Sequence, residues 1–138
     1  MPFPTINTCL VCEGARAEIM GKFTLLGYYG VAPYVRISIQ NFNVPVQLCF
    51  VFAGGGPANG DVHIELRITA PNGATFNAPA ISAHLNPQAT VTNCFMTFLG
   101  VLPGPGNYVA TLIVDGTPQY EAPFGLDQMQ PGFAGVSN

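Results

Sequence analysis

Four cysteines, two histidines, seven acids and three serines hold most of the reactive side-chain chemistry in this chain of 138 residues. Cys9-Leu10-Val11-Cys12 has the spacing of a metal knuckle or a redox motif. The segment reads as a strand, however, and side chains three apart on a strand point to opposite faces. No second close Cys/His pair completes a zinc site. The cysteines are therefore expected as small buried hydrophobes. A Cys49–Cys94 bridge between sheets stays open, although a cytoplasmic chain would keep both reduced.

The other reactive types are scattered. His63 sits on the outer face of a strand beside Glu65, and His84 lies in an irregular segment. Nothing in the sequence joins them into a catalytic pair or a metal site. Ser38, Ser82 and Ser137 lie in no Gly-x-Ser-x-Gly elbow. Gly54-Gly55-Gly56 lacks the following Lys and helix of a phosphate cradle and reads as a hairpin loop. Asp61 and Asp115 fall at turns and could share calcium, but that ion needs 6–8 oxygens and no Asp-x-Asp cluster is present. Turn formation is the better account of both. Acid–base catalysis needs titratable groups in concert, so no enzyme is expected, and no catalytic residue, metal or cofactor is assigned.

The elements that would position any site are strands. Sixteen Gly and thirteen Pro punctuate short apolar, β-branched runs. Thr8–Glu18 and Phe23–Tyr29 should form a hairpin, on which Arg16 and Glu18 share a face and can pair with Lys22. Val62–Ala70 alternates most clearly, with Val62, Ile64, Leu66 and Ile68 inward and His63, Glu65, Arg67 and Thr69 outward. Tyr34–Gln40 alternates likewise, and Val46–Ala53 is apolar on both faces, as a covered central strand would be. Asp115-Gly116 marks a two-residue hairpin between Tyr108–Val114 and Gln119–Phe124. Ala74–Asn77 and Thr90–Leu99 complete the strands; 79–87 reads as irregular. The fold class is all-β: an immunoglobulin-like antiparallel β-sandwich of eight or nine strands. Residues 1–124 make one domain, and 125–138 form a Gly/Pro-rich C-terminal extension.

Cys12-Glu13-Gly14-Ala15-Arg16-Ala17-Glu18, followed by Gly21-Lys22-Phe23-Thr24-Leu25-Leu26-Gly27-Tyr28-Tyr29, resembles the opening hairpin of a family of small bacterial proteins of unknown function. That hairpin reads Cys-acid-x-x-Arg-x-Glu, then Gly-Lys-x-Ser/Thr-Leu-x-Gly-x-Tyr. Gly106-Asn107-Tyr108 through Val114-Asp115-Gly116 to Pro123-Phe124 is similar to its closing hairpin, and Val62 to Gly73 to its middle unit. The resemblance implies an immunoglobulin-like sandwich and carries no catalytic residues.

Charge is the strongest compositional signal. Only 8% of residues are charged, against about 25% in a typical soluble domain. Residues 68–114 form 47 consecutive positions without Asp, Glu, Lys or Arg. Four basic residues cannot neutralise a run of phosphates, so nucleic acid is excluded as a partner. No apolar run approaches the 20 or so residues of a spanning helix, and the strands look too short and uneven for a membrane barrel. The N-terminus has neither a basic n-region nor an apolar h-region, so a cytoplasmic location is the simplest expectation.

Charge depletion is also the mark of an interface core. The sequence therefore points to a non-catalytic structural or assembly subunit. It would pack through uncharged surfaces and its C-terminal tail into a homo-oligomer or a larger, even membrane-attached, complex. The candidate contact residues are Tyr28, Tyr29 and Tyr34, with Met129, Phe133 and Val136 of the tail. The alternative is a monomeric module that binds a ligand on the same tyrosines or on the 54–60 loop.

Overall fold

The computed structural model describes residues 3–18, 22–56, 60–85 and 91–129. Ten strands follow one another: β1 Thr5–Ala17, β2 Phe23–Val31, β3 Arg36–Ile39, β4 Val46–Gly55, β5 Gly60–Thr69, β6 Thr75–Asn77, β7 Ile81–Leu85, β8 Val91–Gly100, β9 Gly106–Val114 and β10 Thr117–Gln128. They form two sheets. The smaller has the order β2-β1-β4-β8; the larger has the order β3-β10-β9-β5-β6, with β7 also on β5. No helix long and apolar enough to cross a membrane is found among the described residues.

The sequence expectation of an all-β chain holds, with three corrections. Among the described residues the strands number ten rather than eight or nine. The added one is β7, in the stretch read as irregular because Pro79 and Pro87 flank it. It pairs antiparallel with β5 from Gly60↔Leu85 to Ile64↔Ile81. The set is not purely antiparallel either, since β3 runs parallel to β10. Finally, the last strand, expected over Gln119–Phe124, continues to Gln128, because Gly125–Gln128 find ladder partners in Arg36–Ile39. Gly125 allows this approach: a Cβ there would collide with the Arg36 guanidinium. The guanidinium binds Asp127 through both terminal and inner nitrogens, at 2.6 and 3.0 Å.

The core lies between the sheets. Alternation puts Val62, Ile64, Leu66 and Ile68 of β5 inward, each no more than 3% exposed. Leu48, Phe50 and Phe52 of β4 face them from the smaller sheet and are fully buried. Phe50 meets Phe124 at 5.3 Å between ring centres, and Tyr108 stacks on Phe124 at 5.5 Å. Central β4 is covered on its other face too. There Cys12, Cys49 and Val51 form a second cluster under Leu10, Ala15, Phe23, Leu25 and Phe95. This explains why β4 reads as apolar on both faces.

Two turns show why the sequence folds locally as it does. Asp115 (φ 48°) and Gly116 (φ 82°) take the left-handed conformation that a two-residue hairpin requires. Asp115 Oδ1 also accepts from the backbone N–H of His63 at 2.9 Å, tying the β9–β10 turn to β5. At the start of β9, the Tyr108 hydroxyl donates to the carbonyl of Gly104 at 2.6 Å. This bond anchors the Gly104-Pro105-Gly106 turn to a ring that is only 1% exposed.

Candidate interaction surface

The reactive side chains are dispersed over the sandwich. Cys9 and Cys12 point to opposite faces, as strand geometry requires: Cys9 belongs to the core between the sheets and Cys12 to the outer cluster. Cys49 and Cys94 cannot bridge two sheets, because β4 and β8 are neighbours in one sheet. Cys94 faces the core and Cys49 the outer cluster. In register, Cys49 opposes Thr97 and Cys94 opposes Phe52. All four thiols are free and buried. Burial, with help from neighbouring thiols, pushes Cys9 up to about 12 and Cys94 up to about 11. Cys12 rises to about 11 and Cys49 also rises, chiefly through burial.

β7 brings the histidines to one region of sheet, which the sequence did not foresee. His84 pairs with Asp61 across β5–β7, at 2.7 Å from Nδ1 to Oδ1, and Ser82 opposes His63. The Asp61–His84 pair lies open to water, with side-chain exposures of 85% and 75%. An open sheet face offers neither a water-excluded pocket nor oriented donors for a reaction intermediate. Among the described residues no group of three or more His, Cys, Asp or Glu side chains could hold a metal ion. Asp115 accepts from the His63 backbone at its turn, and Asp61 pairs with His84. On the first hairpin Arg16 Nε meets Glu18 Oε2 at 2.8 Å, and Thr24 joins it on the same oxygen. These two donors, Thr24 foremost, hold the Glu18 carboxyl below its usual range.

The smaller sheet is the surface with distinctive character. Its β2 and β8 are edge strands, and neither carries a charged residue. Exposed apolar side chains gather on β2 (Leu26, Tyr28, Tyr29, Val31) and at the end of β8 (Leu99 and Val101). Tyr34 follows β2 in a turn and is 88% exposed. The three tyrosines do not share one pocket. Tyr29 falls at a bulge, since Val11 opposes Gly30 while Cys12 opposes Tyr28. The bulge turns it toward an open cleft of 300 Å³, also lined by Glu13, Gln40, Asn41, Val44 and Gln47. Burial and the nearby Glu13 carboxylate raise the Tyr29 phenol. Tyr28 and Tyr34 do not line that cleft.

In the tail, the Met129 N–H donates to the Ile39 carbonyl at 2.9 Å, so the chain's own β3 holds it. Phe133 and Val136 lie outside the described residues, as do 57–59 of the 54–60 loop. Asn107 is exposed, and its side-chain oxygen accepts from Arg36 at 3.2 Å. That contact lies within the chain. Asn93 on β8 is outward and exposed.

No protein-family model and no curated protein matches the chain. Among solved structures it is similar to the alkylpurine DNA glycosylase AlkC of Pseudomonas fluorescens, bound to DNA containing an abasic site analog. The identity is 16% and the TM-score 0.41 over 70% of this chain. The match spans 28% of the glycosylase chain, well under two thirds of its length.

Proposed function

We propose that this chain is an immunoglobulin-like sandwich that serves as a non-catalytic assembly subunit, packing through the uncharged smaller sheet. Strand order supports the immunoglobulin-like part. β4 and β8 pair in one sheet while β5, β9 and β10 pair in the other, with β3 parallel to β10 on the far edge. This is the arrangement of B and E against C, F and G in such sandwiches. Tyr108 adds to it, since its hydroxyl reaches back four residues from the start of β9, as the tyrosine corner of strand F does.

The assembly reading rests above all on one observation. The edge strands of the smaller sheet are uncharged along their whole length, and Leu99 and Tyr28 on them are 65% and 55% exposed. A free surface at such edges invites pairing with another chain. The partner is protein, in the cytoplasm, where four unpaired thiols would persist. Size-exclusion chromatography with light scattering on the full chain tests this. A mass that is a multiple of 14.6 kDa supports the reading, and a monomer across micromolar concentrations refutes it.

A second reading draws on the cleft beside Tyr29. Its lining of one carboxylate, amides, a serine hydroxyl and one phenol among apolar side chains suits a small hydroxyl-bearing ligand. Binding of a sugar panel, lost in Tyr29→Ala, would favour it.

A further inference from the structure

We infer that β8 is the docking edge and that its occupant is the β8 strand of a second copy, joined antiparallel about a two-fold axis. The inference rests on the assembly reading and names the surface it uses.

The four sheet edges differ in how they are defended. β3 has four residues, carries Arg36 and is clamped by the Arg36–Asp127 ion pair. β6 has three residues, and β7 has five beside the Asp61–His84 pair. β2 is longer but is broken by the bulge at Tyr29 and by Gly27 and Gly30, both at positive φ. Short length, charge, bulges and irregular backbone are the devices by which native edges avoid pairing. β8 has none of them. Its ten residues keep an unbroken register with β4, from Val91↔Gly55 to Gly100↔Val46. They include no charge and no proline. Among the described residues no strand covers its other side.

The chemistry of the strand selects a second copy. A strand that pairs with itself sets each residue against another from the same strand, and the residue on the axis against its own copy, so an unbalanced charge on the strand would gain no opposite partner. β8 offers no such conflict. An axis normal to the sheet keeps inner face with inner face. With that axis at Phe95, Asn93 of one copy opposes Thr97 of the other, and Cys94 opposes Met96. Polar then meets polar on the outer face, and apolar meets apolar over the core. Asn93 and Thr97 are both exposed, and Cys94 and Met96 are both buried beneath the sheet. The result is one eight-stranded sheet across two chains. Because each copy has a single undefended edge among the described residues, the pairing closes as a dimer instead of propagating as a fibre.

The test uses the full chain and three proteins. The wild type should run at twice the 14.6 kDa chain mass by light scattering. Asn93→Lys with Thr97→Lys sets like charges opposite each other twice and should give a folded monomer by circular dichroism. Asn93→Lys with Thr97→Glu sets opposite charges together and should restore the dimer. In the wild type, amide exchange across 91–100 should slow as concentration rises, a readout that needs no variant. A monomeric wild type overturns both this inference and the assembly reading. A wild-type oligomer that survives the double lysine change, with no concentration-dependent protection in 91–100, overturns the β8 edge alone. Two monomeric double variants beside a dimeric wild type overturn the strand register proposed.

Discussion

Replacing Tyr108 by Phe removes one oxygen from the turn that starts β9 and leaves the packing in place. The ring is 1% exposed and stacks on Phe124 at 5.5 Å, so both stay filled and stacked. What is lost is the 2.6 Å bond to the Gly104 carbonyl. Gly104 is partly exposed, so water can reach its carbonyl in the variant. The cost is then the net value of a neutral hydrogen bond, about 1 kcal/mol, and not the larger penalty of a buried orphan. In a chain of this size that lowers the melting temperature by about 3–4 °C. Tyr108→Ala removes the ring as well and should cost about 3–5 kcal/mol, as large aromatic truncations do. Urea unfolding of the three proteins, at equal slope, separates the two contributions. If Tyr108→Phe is neutral within about 0.3 kcal/mol, the bond does not anchor the turn. If it costs as much as Tyr108→Ala, the ring is not held independently, and the corner reading fails.

Other perturbations probe other parts of the molecule. Asp115→Ala forfeits the bond to His63 and places a Cβ residue without a polar side chain at φ 48°; a loss of about 1–3 kcal/mol in urea unfolding is expected. The native thiols should resist a maleimide at pH 7.5 and react at once in 6 M urea or its equivalent, because all four are buried and free. Raising pH should destabilise the fold. Above about pH 9 the unfolded thiols ionise while folded Cys9 and Cys94 still hold their protons. The folded state then binds more protons, and each thiol removes about 1.4 kcal/mol per pH unit. The loss runs from about 9 to about 11 for Cys94 and to about 12 for Cys9, and a flat stability profile over that range would contradict their burial. The Arg36–Asp127 pair works in the opposite direction. Asp127 is held below its usual range by Arg36, so its contribution is present at neutral pH and fades as pH falls through the lowered value. Arg36→Gln should remove that acid dependence and raise amide exchange in 125–128, with little change in overall melting because the pair is exposed.

Strand positions were legible in the sequence wherever alternation or turn chemistry was strong. Val62–Ala70 and Asp115-Gly116 each carry a local signal that packing only reinforces. β4 was legible as covered on both faces because its apolar run has no polar side. β7 was missed because Ser82 and His84 face water and prolines flank the run, leaving only Ala83 and Leu85 to mark the inner face. The reach of β10 to Gln128 was missed for a different reason. Its partner is β3, 89 residues away in the Gln128↔Ile39 pair, and no local pattern announces a long-range parallel ladder. The Arg36–Asp127–Asn107 group depends on that same ladder, and the Asp61–His84 contact on the antiparallel β5–β7 register that the missed strand supplies. At the surface, neutrality was legible but its use was not. Asn107 turned out to serve Arg36, while the neutral length of β8 gained meaning only once β8 was placed at an edge.

The assembly claim is tested most directly by sedimentation equilibrium of the full chain between about 1 and 100 μM, a range that brackets micromolar self-association. The expected result is a mass of two chains or more that dissociates reversibly on dilution. A single species at the 14.6 kDa of one chain throughout that range would contradict it.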